Sequence, residues 1–246
     1  YSMNIRIDDL QCNNLKIKQY ADGYCFTSDA VLLANMTRCK AKDTIVDFGC
    51  GNGVISLLLS AKLPCKKIIG IELQSEVAEL AKENVLFNNL SNIIEIINDD
   101  ILRAPDLLGK ESVEVVVCNP PYFANFSGEQ RESKQVALSR HESTCSLAML
   151  TQSASKILKY GGEFYIIHKT NRMAEVISEC VNADLFPKNL TLIYPKISKA
   201  ADTFVLRCKK HGKHGLNVDK LIVYDEDGQM SEEAQTLYNK KSDLIK

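Results

Sequence analysis

The 246-residue chain carries almost no net charge, with 30 Lys and Arg against 31 Asp and Glu and a formal charge of −1. Chain-wide affinity for a polyanion is therefore excluded, and any nucleic-acid contact has to come from a local basic patch. Long apolar runs are missing as well. Stretches such as Val115–Cys118 or Leu57–Leu59 fall far short of the ~20 residues of a membrane span, so no membrane partner is expected. The first ten residues alternate polar and apolar groups, with no basic segment leading into an apolar run, and no secretory signal is expected there. None of the nine cysteines forms a C-x-x-C pair, which argues against a zinc finger, a metal site or a disulfide framework. Reduced, mostly core-filling thiols in a cytoplasmic protein fit better. Repeats and low-complexity segments are also lacking, and with 45% hydrophobic and 25% charged residues the chain has the composition of a packed domain.

What is present alternates strand-length and helix-length patterns. A small β element is expected over 15–26 around Asp22-Gly23, followed by a helix over AVLLANM that Thr27, Ser28 and Asp29 cap. Short apolar runs at Thr44–Phe48, Lys67–Leu73, Ile93–Ile97 and Val113–Cys118 read as buried strands, with helices between them. Farther on, a helix face from Leu147 to Leu158 is expected to break at Gly161-Gly162 before the strand GEFYIIH. The runs LTLIY and TFVLRC, joined by a turn containing Pro195, are too close for a helical crossover and should pair antiparallel. Such alternation implies a doubly wound α/β fold with a mostly parallel sheet. We expect an N-terminal β element and capping helix over 1–40, a core over 41–215, and a C-terminal strand and helix over 216–246 packed on that core.

Ligands of such sheets bind beyond the carboxyl ends of the strands. The first of those loops is Asp47-Phe48-Gly49-Cys50-Gly51-Asn52-Gly53, whose alternating glycines permit a tight turn and close approach to a ligand. It is neither G-x-G-x-x-G nor a P-loop with its Lys-Ser/Thr, so a triphosphate cradle is disfavoured. Glu72, at the end of the second strand, suits the two hydroxyls of a ribose. Asp99 and Asp100 end the third, with Asp100 expected to accept from an adenine amino group and Asp99 to cap the loop. Together these residues describe an adenosyl-ligand site. The fourth strand ends in Asn119-Pro120-Pro121-Tyr122, where two prolines force an extended backbone that holds the Asn119 amide and the Pro120 carbonyl outward. That pair of oxygens suits a planar amino group whose nitrogen must become pyramidal to act as a nucleophile. Tyr122 can stack on an extruded base.

The D-x-G-x-G turn, Glu72 and Asn-Pro-Pro-Tyr resemble the class I S-adenosylmethionine-dependent amino-methyltransferases. Phe26-Thr27-Ser28-Asp29 and the downstream Ser139-Arg140-His141-Glu142 narrow the resemblance to the bacterial enzymes that methylate the adenine amino group beside the anticodon of valine tRNA. The resemblance implies a Rossmann-like sheet of seven strands. S-adenosylmethionine would be held by Asp47, Gly49, Gly51, Glu72 and Asp100, with Phe26 and Ser28 closing over it and Asp99 and Asn119 adjoining. The substrate adenine would be held by Asn119, Pro120, Pro121 and Tyr122. Transfer would be direct, without a covalent enzyme intermediate or a metal. Asn-Pro-Pro-Tyr also serves enzymes acting on protein glutamine or other nucleic acids, and a non-catalytic RNA-binding protein of this fold is a third reading.

For tRNA, the cationic candidates fall in two stretches. Arg131, Lys134, Arg140 and His141 follow the Asn-Pro-Pro-Tyr motif among aromatic residues, a mix suited to a single-stranded loop. Lys196, Lys199, Arg207, Lys209, Lys210 and Lys213 cluster around the last β run. The expectation is one locally basic docking face on a neutral protein, acting as a monomer or weak dimer.

Overall fold

A computed structural model describes residues 5–21, 27–120 and 146–238. The chain opens with a hairpin, β1 (Ile5–Asp9) against β2 (Lys16–Tyr20), paired antiparallel from Ile5↔Tyr20 to Asp9↔Lys16. Asp22-Gly23 lies outside the described residues, and the hairpin closes earlier, over 10–15. There Asn13 and Asn14 adopt φ values of 48° and 58°, a left-handed conformation that Asn tolerates better than most side chains.

The main sheet is built from β3 (Thr44–Phe48), β4 (Lys67–Glu72), β5 (Ile94–Asn98), β6 (Val113–Cys118), β7 (Leu158–Lys169), β8 (Leu185–Lys196), β9 (Thr203–Lys210) and β10 (Asn217–Tyr224). Its order is β10-β8-β9-β7-β6-β3-β4-β5. Only β9 runs antiparallel to its neighbours; every other pairing in this sheet is parallel. The sheet therefore has eight strands and not seven. The extra one is the C-terminal run, which joins the sheet edge at β8 with Val218 opposite Leu190, and it does so because Leu221 and Val223 point into the core.

Helices cover both faces. On one side α1 (Ser28–Met36), α2 (Val54–Lys62), α3 (Ser75–Phe87) and the C-terminal α7 (Glu232–Tyr238) share a core with the hairpin residues Leu15 and Ile17. On the other, α4 (Ala104–Leu108), α5 (Leu147–Ile157) and α6 (Met173–Asn182) pack against Val46, Phe48, Val116 and Phe164. Two turn expectations are corrected here. Gly161-Gly162 does not separate helix from strand. β7 starts directly after α5 and runs through the pair, whose extra residues form a bulge against β6 between Val113 and Val115. A Cβ on Gly162 would lie 2.9 Å from the Lys159 carbonyl oxygen, so only glycine fits. Pro195 likewise falls inside β8, beyond its last pairing with β9, and the register with β10 skips it, Ile222 pairing with Tyr194 and Tyr224 with Lys196.

The hairpin is held to the body by amides. Asn84 on α3 and Asn88, the C-cap of α3 one turn later, face alternate residues of β2. Asn84 Oδ1 accepts from Lys18 N at 2.7 Å and its Nδ2 donates to Lys18 O at 2.9 Å. Asn88 does the same for Lys16, at 3.0 and 2.7 Å. Two side chains thus stand in for a neighbouring strand and satisfy an otherwise open sheet edge. Asn84 is fully buried and also donates to Asn52 O at 3.0 Å, which ties the hairpin to the glycine turn. Asn84→Ala should destabilise the protein by ~2–4 kcal/mol, because three backbone groups lose their partner, with urea denaturation as the measurement.

Candidate active site

At the carboxyl end of β3 the backbone turns through Gly49, Gly51 and Gly53, with φ values of 66°, 56° and 86°. An ideal Cβ at Gly49 or Gly51 would meet no heavy atom of the described residues within 4 Å, so among them the space over this turn is open to an incoming group. Gly53 is the N-cap of α2, whose first N–H groups face the same end of the sheet. The turn is fixed from β4, since Gly49 N and Cys50 N both donate to Ile71 O, at 2.9 and 3.1 Å.

Glu72, the last residue of β4, is 9% exposed. Its Oε2 accepts from Gly51 N and its Oε1 from Gln74 N, both at 3.0 Å. Burial raises its pKa, and the N–H donors of Gln74, Gly51 and Leu73 offset part of that rise. Asn98 at the end of β5 braces this corner by donating to Glu72 O at 2.9 Å and Leu73 O at 3.0 Å. The third loop reverses one expected role. Asp100 is the capping residue, its Oδ1 accepting from Leu102 N at 2.9 Å. Asp99 instead pairs with Arg103 at 3.0 Å and accepts from Asp100 N, because a residue one position earlier cannot reach the first N–H groups of the 3-10 turn at Ile101–Arg103. Asp100 Oδ2 accepts no bond from the described residues.

Asp47 lies wholly inside the sheet. Its Oδ2 accepts from Ser56 Oγ at 2.8 Å, and its Oδ1 has no partner among the described residues. Burial pushes its carboxyl up to about 7, against the lowering effect of Ser56, with the nearby Glu72 adding to the rise. A carboxyl whose pKa is higher folded than unfolded stabilises the fold while protonated. That contribution is full below the unfolded value near 4 and is lost as pH rises through about 7. Without ligand, Asp47→Asn should abolish this loss. From pH 5 to 8 the wild type should lose up to about 3 kcal/mol more stability than the variant, at ~1.4 kcal/mol per unit over the two units below about 7, read by urea denaturation at each pH.

β6 pairs with β3 in register, Phe48 opposite Cys118. Gly49 and Asn119 are therefore the first residues beyond one rung of the sheet, and Asn119 is half-buried while Pro120 is buried. Ser28, exposed at the start of α1, reaches the same end of the sheet through its neighbour Asp29, which pairs with Lys169 at the end of β7 at 3.4 Å. Thr27 is the N-cap of α1 but makes no side-chain cap bond. Phe26, Pro121, Tyr122, Arg131, Lys134, Arg140 and His141 lie outside the described residues.

The single basic face expected over 196–214 is divided by the direction of β9. Lys196 and Lys199 stand at the carboxyl ends of the parallel strands, with Lys196 Nζ donating to Glu226 O at 2.9 Å. Because β9 runs the other way, Arg207, Lys209, Lys210 and Lys213 are carried to the opposite end. Arg207 is committed to Glu163 at 2.8 Å and to Asn189, and Lys210, 6% exposed, donates to Leu158 O at 2.8 Å. Lys209 and Lys213 are exposed there, away from the glycine turn.

Three contributors were not expected from the sequence: Ser56, Asn84 and Asn98. Each had a visible signal, a polar residue in an apolar stretch (Ser56 in VISLLLSAK), on an apolar helix face (Asn84 with Ala81 and Val85) or at a strand end (Asn98). Among the described residues no group of three His, Cys, Asp or Glu is placed to hold a metal ion, and no helix is long and apolar enough to cross a membrane.

The family model for the methyltransferase small domain matches residues 25–184. Curated relatives described as tRNA1(Val) (adenine(37)-N6)-methyltransferase include one from Vibrio campbellii, 26% identical over 64% of this chain and 66% of its own length. One from Porphyromonas gingivalis is 31% identical over 61% and 60%, and one from Histophilus somni is 29% identical over 85% and 86%. The chain thus spans less than two thirds of the first two relatives. Among solved structures, a predicted O-methyltransferase from Agrobacterium tumefaciens is similar with a TM-score of 0.69 at 22% identity, over 87% of this chain and 97% of that one. P. horikoshii TYW2 in complex with MeSAdo is similar with a TM-score of 0.59 at 16% identity, over 86% and 73%.

Proposed function

The chain belongs to the methyltransferase small domain family, and from that premise we propose that it transfers a methyl group from S-adenosylmethionine to the N6 amino group of an adenosine in the tRNA anticodon loop. The observation that carries this reading is the rung Phe48↔Cys118, which sets the open glycine turn and the Asn119-Pro120 pair side by side. The names of the curated relatives supply the substrate class. Such a protein works in the cytoplasm, where tRNA is modified.

The residues fit the cofactor on three counts: open space over Gly49 and Gly51, a buried carboxylate at Glu72, and an oxygen of the buried Asp47 with no partner among the described residues. S-adenosylmethionine supplies an electrophilic methyl group on a sulfonium. Glu72 accepts the ribose hydroxyls, as a strand-end carboxylate does for a nucleotide ribose. Asp100 offers Oδ2 to the adenine amino group, while Asp99 holds the loop through Arg103. Asp47 Oδ1 provides a further buried acceptor. On the substrate side, the Asn119 side-chain carbonyl and the Pro120 carbonyl accept the two N–H groups of the target amine. Those bonds favour the pyramidal nitrogen and strengthen as positive charge develops on it. The methylated nitrogen is then strongly acidic and releases its proton to water, so His141 need not act as a base. Pro121 and Tyr122 complete the motif, Tyr122 as a stacking surface for the base. Cations for RNA at this end are Lys196 and Lys199, and the sequence after Tyr122 supplies Arg131, Lys134, Arg140 and His141 as further candidates. Arg207, Lys209, Lys210 and Lys213 are not part of that surface.

Incubation with labelled S-adenosylmethionine and either unmodified total tRNA or a protein extract tests the reading. Label is expected in tRNA and, after digestion, in N6-methyladenosine. Label in a protein glutamine would overturn it.

A further inference from the structure

Cys39 and Cys65 belong to two neighbouring loops that meet at the end of the sheet opposite the glycine turn. Cys39 lies between α1 and β3, and Cys65 lies between α2 and β4. The loops are joined by the Lys66 N to Asp43 O bond at 2.9 Å, and the strands they feed are paired, Thr44 opposite Lys67. Both thiols are partly exposed, and Lys40, beside Cys39, closes a turn onto Asp43, the residue that Lys66, beside Cys65, bonds, which brings the two cysteine side chains to interact. We propose that Cys39 and Cys65 form a thiol-oxidation site, which a peroxide converts to a disulfide that clasps β3, the glycine turn and α2 within one covalent loop.

The asymmetry of the pair assigns the roles. Their interaction lowers the pKa of Cys65 and raises that of Cys39, so Cys65 is the readier of the two to ionise and attack, and Cys39 the one that keeps its proton. Cys65 sulfur attacks one oxygen of hydrogen peroxide, the O–O bond breaks, and a sulfenic acid forms as hydroxide leaves and is protonated to water. Cys39 sulfur then attacks the sulfenic sulfur. The S–S bond forms, the S–O bond breaks, and the departing oxygen leaves as a second water with the Cys39 proton. Two electrons pass from the two thiols to the peroxide. A second contacting pair, Cys180 and Cys208, is fully buried and out of reach of the oxidant. Cys12 is the nearby competitor, since its loop is tied to the end of α2 by the Asn13 Nδ2 to Ala61 O bond at 3.1 Å.

The test treats the full chain with stoichiometric hydrogen peroxide, counts thiols in denaturant and maps peptides without reduction. Two fewer thiols than the nine of the sequence, a peptide joining 39 to 65, and a melting temperature higher by roughly 5–10 °C that dithiothreitol reverses are expected. Cys12→Ser should behave as the wild type, and Cys39→Ser should stop at a trappable sulfenic acid on Cys65. Methyl transfer by unoxidised Cys65→Ser should be unchanged, which separates loss of the bridge from loss of the fold. A bridge through Cys12, retention of all nine thiols, or oxidation of Cys65 that is the same with and without Cys39 would overturn the proposal.

Discussion

Asn119→Ala is expected to lower kcat for methyl transfer by about 10²–10³-fold, the usual cost of removing one preorganised hydrogen-bonding group from the reacting atoms. The affinity for S-adenosylmethionine should change by less than about threefold, because the side chain acts on the amine and not on the ribose or the adenine of the cofactor. The reason lies in the amine itself, whose lone pair is delocalised into the ring until two acceptors draw its N–H groups out of plane. Asn119→Asp keeps an acceptor oxygen and should retain more activity than Asn119→Ala. Single-turnover kinetics with cofactor bound beforehand isolates the step. An alanine variant with wild-type kcat would remove Asn119 from the chemistry.

Glu72→Ala acts on the other half of the site. We expect S-adenosylmethionine to bind about 10²-fold more weakly by calorimetry, since hydrogen bonds to a charged group contribute ~1.5–3 kcal/mol each. Once the cofactor is saturating, kcat should recover much of its wild-type value, in contrast to Asn119→Ala. The variant also leaves Gly51 N and Gln74 N without their acceptor. Glu72→Gln keeps an acceptor for one of them, and it should fold like the wild type while still binding the cofactor poorly. An equal loss of kcat and affinity in both variants would point to collapse of the glycine turn and not to a lost ribose contact.

The strand ends were readable from the sequence because both the hydrophobic runs and the residues that stop them are local. Thr44–Phe48 is followed by glycines that need positive φ, and Val113–Cys118 by prolines that cannot continue a ladder. Pairing is not local, and there the reading was partial. The C-terminal run looked like a strand, but that it lies parallel on β8 as an eighth strand depends on a register between residues some thirty positions apart. The same holds for the cations. Arg207, Lys209 and Lys210 are close in sequence to Lys196 and Lys199, yet one reversal of chain direction separates them by the length of a strand. Gly161-Gly162 carried an ordinary breaker signal, and the tight approach of the Glu114 and Lys159 carbonyls turned it into a bulge. Asp100 and not Asp99 caps the loop, because capping is decided by which carboxylate reaches the Leu102 N–H, a matter of one residue.

The central claim is that the amine acceptor beside Asn119 is an adenine N6 beside an anticodon. An unmodified anticodon stem-loop with adenosine beside the anticodon, and a second with guanosine in its place, would each be incubated with labelled S-adenosylmethionine and digested to nucleosides. The account predicts N6-methyladenosine from the first and no label in the second. Equal labelling of the two, or label recovered only in protein, would contradict it.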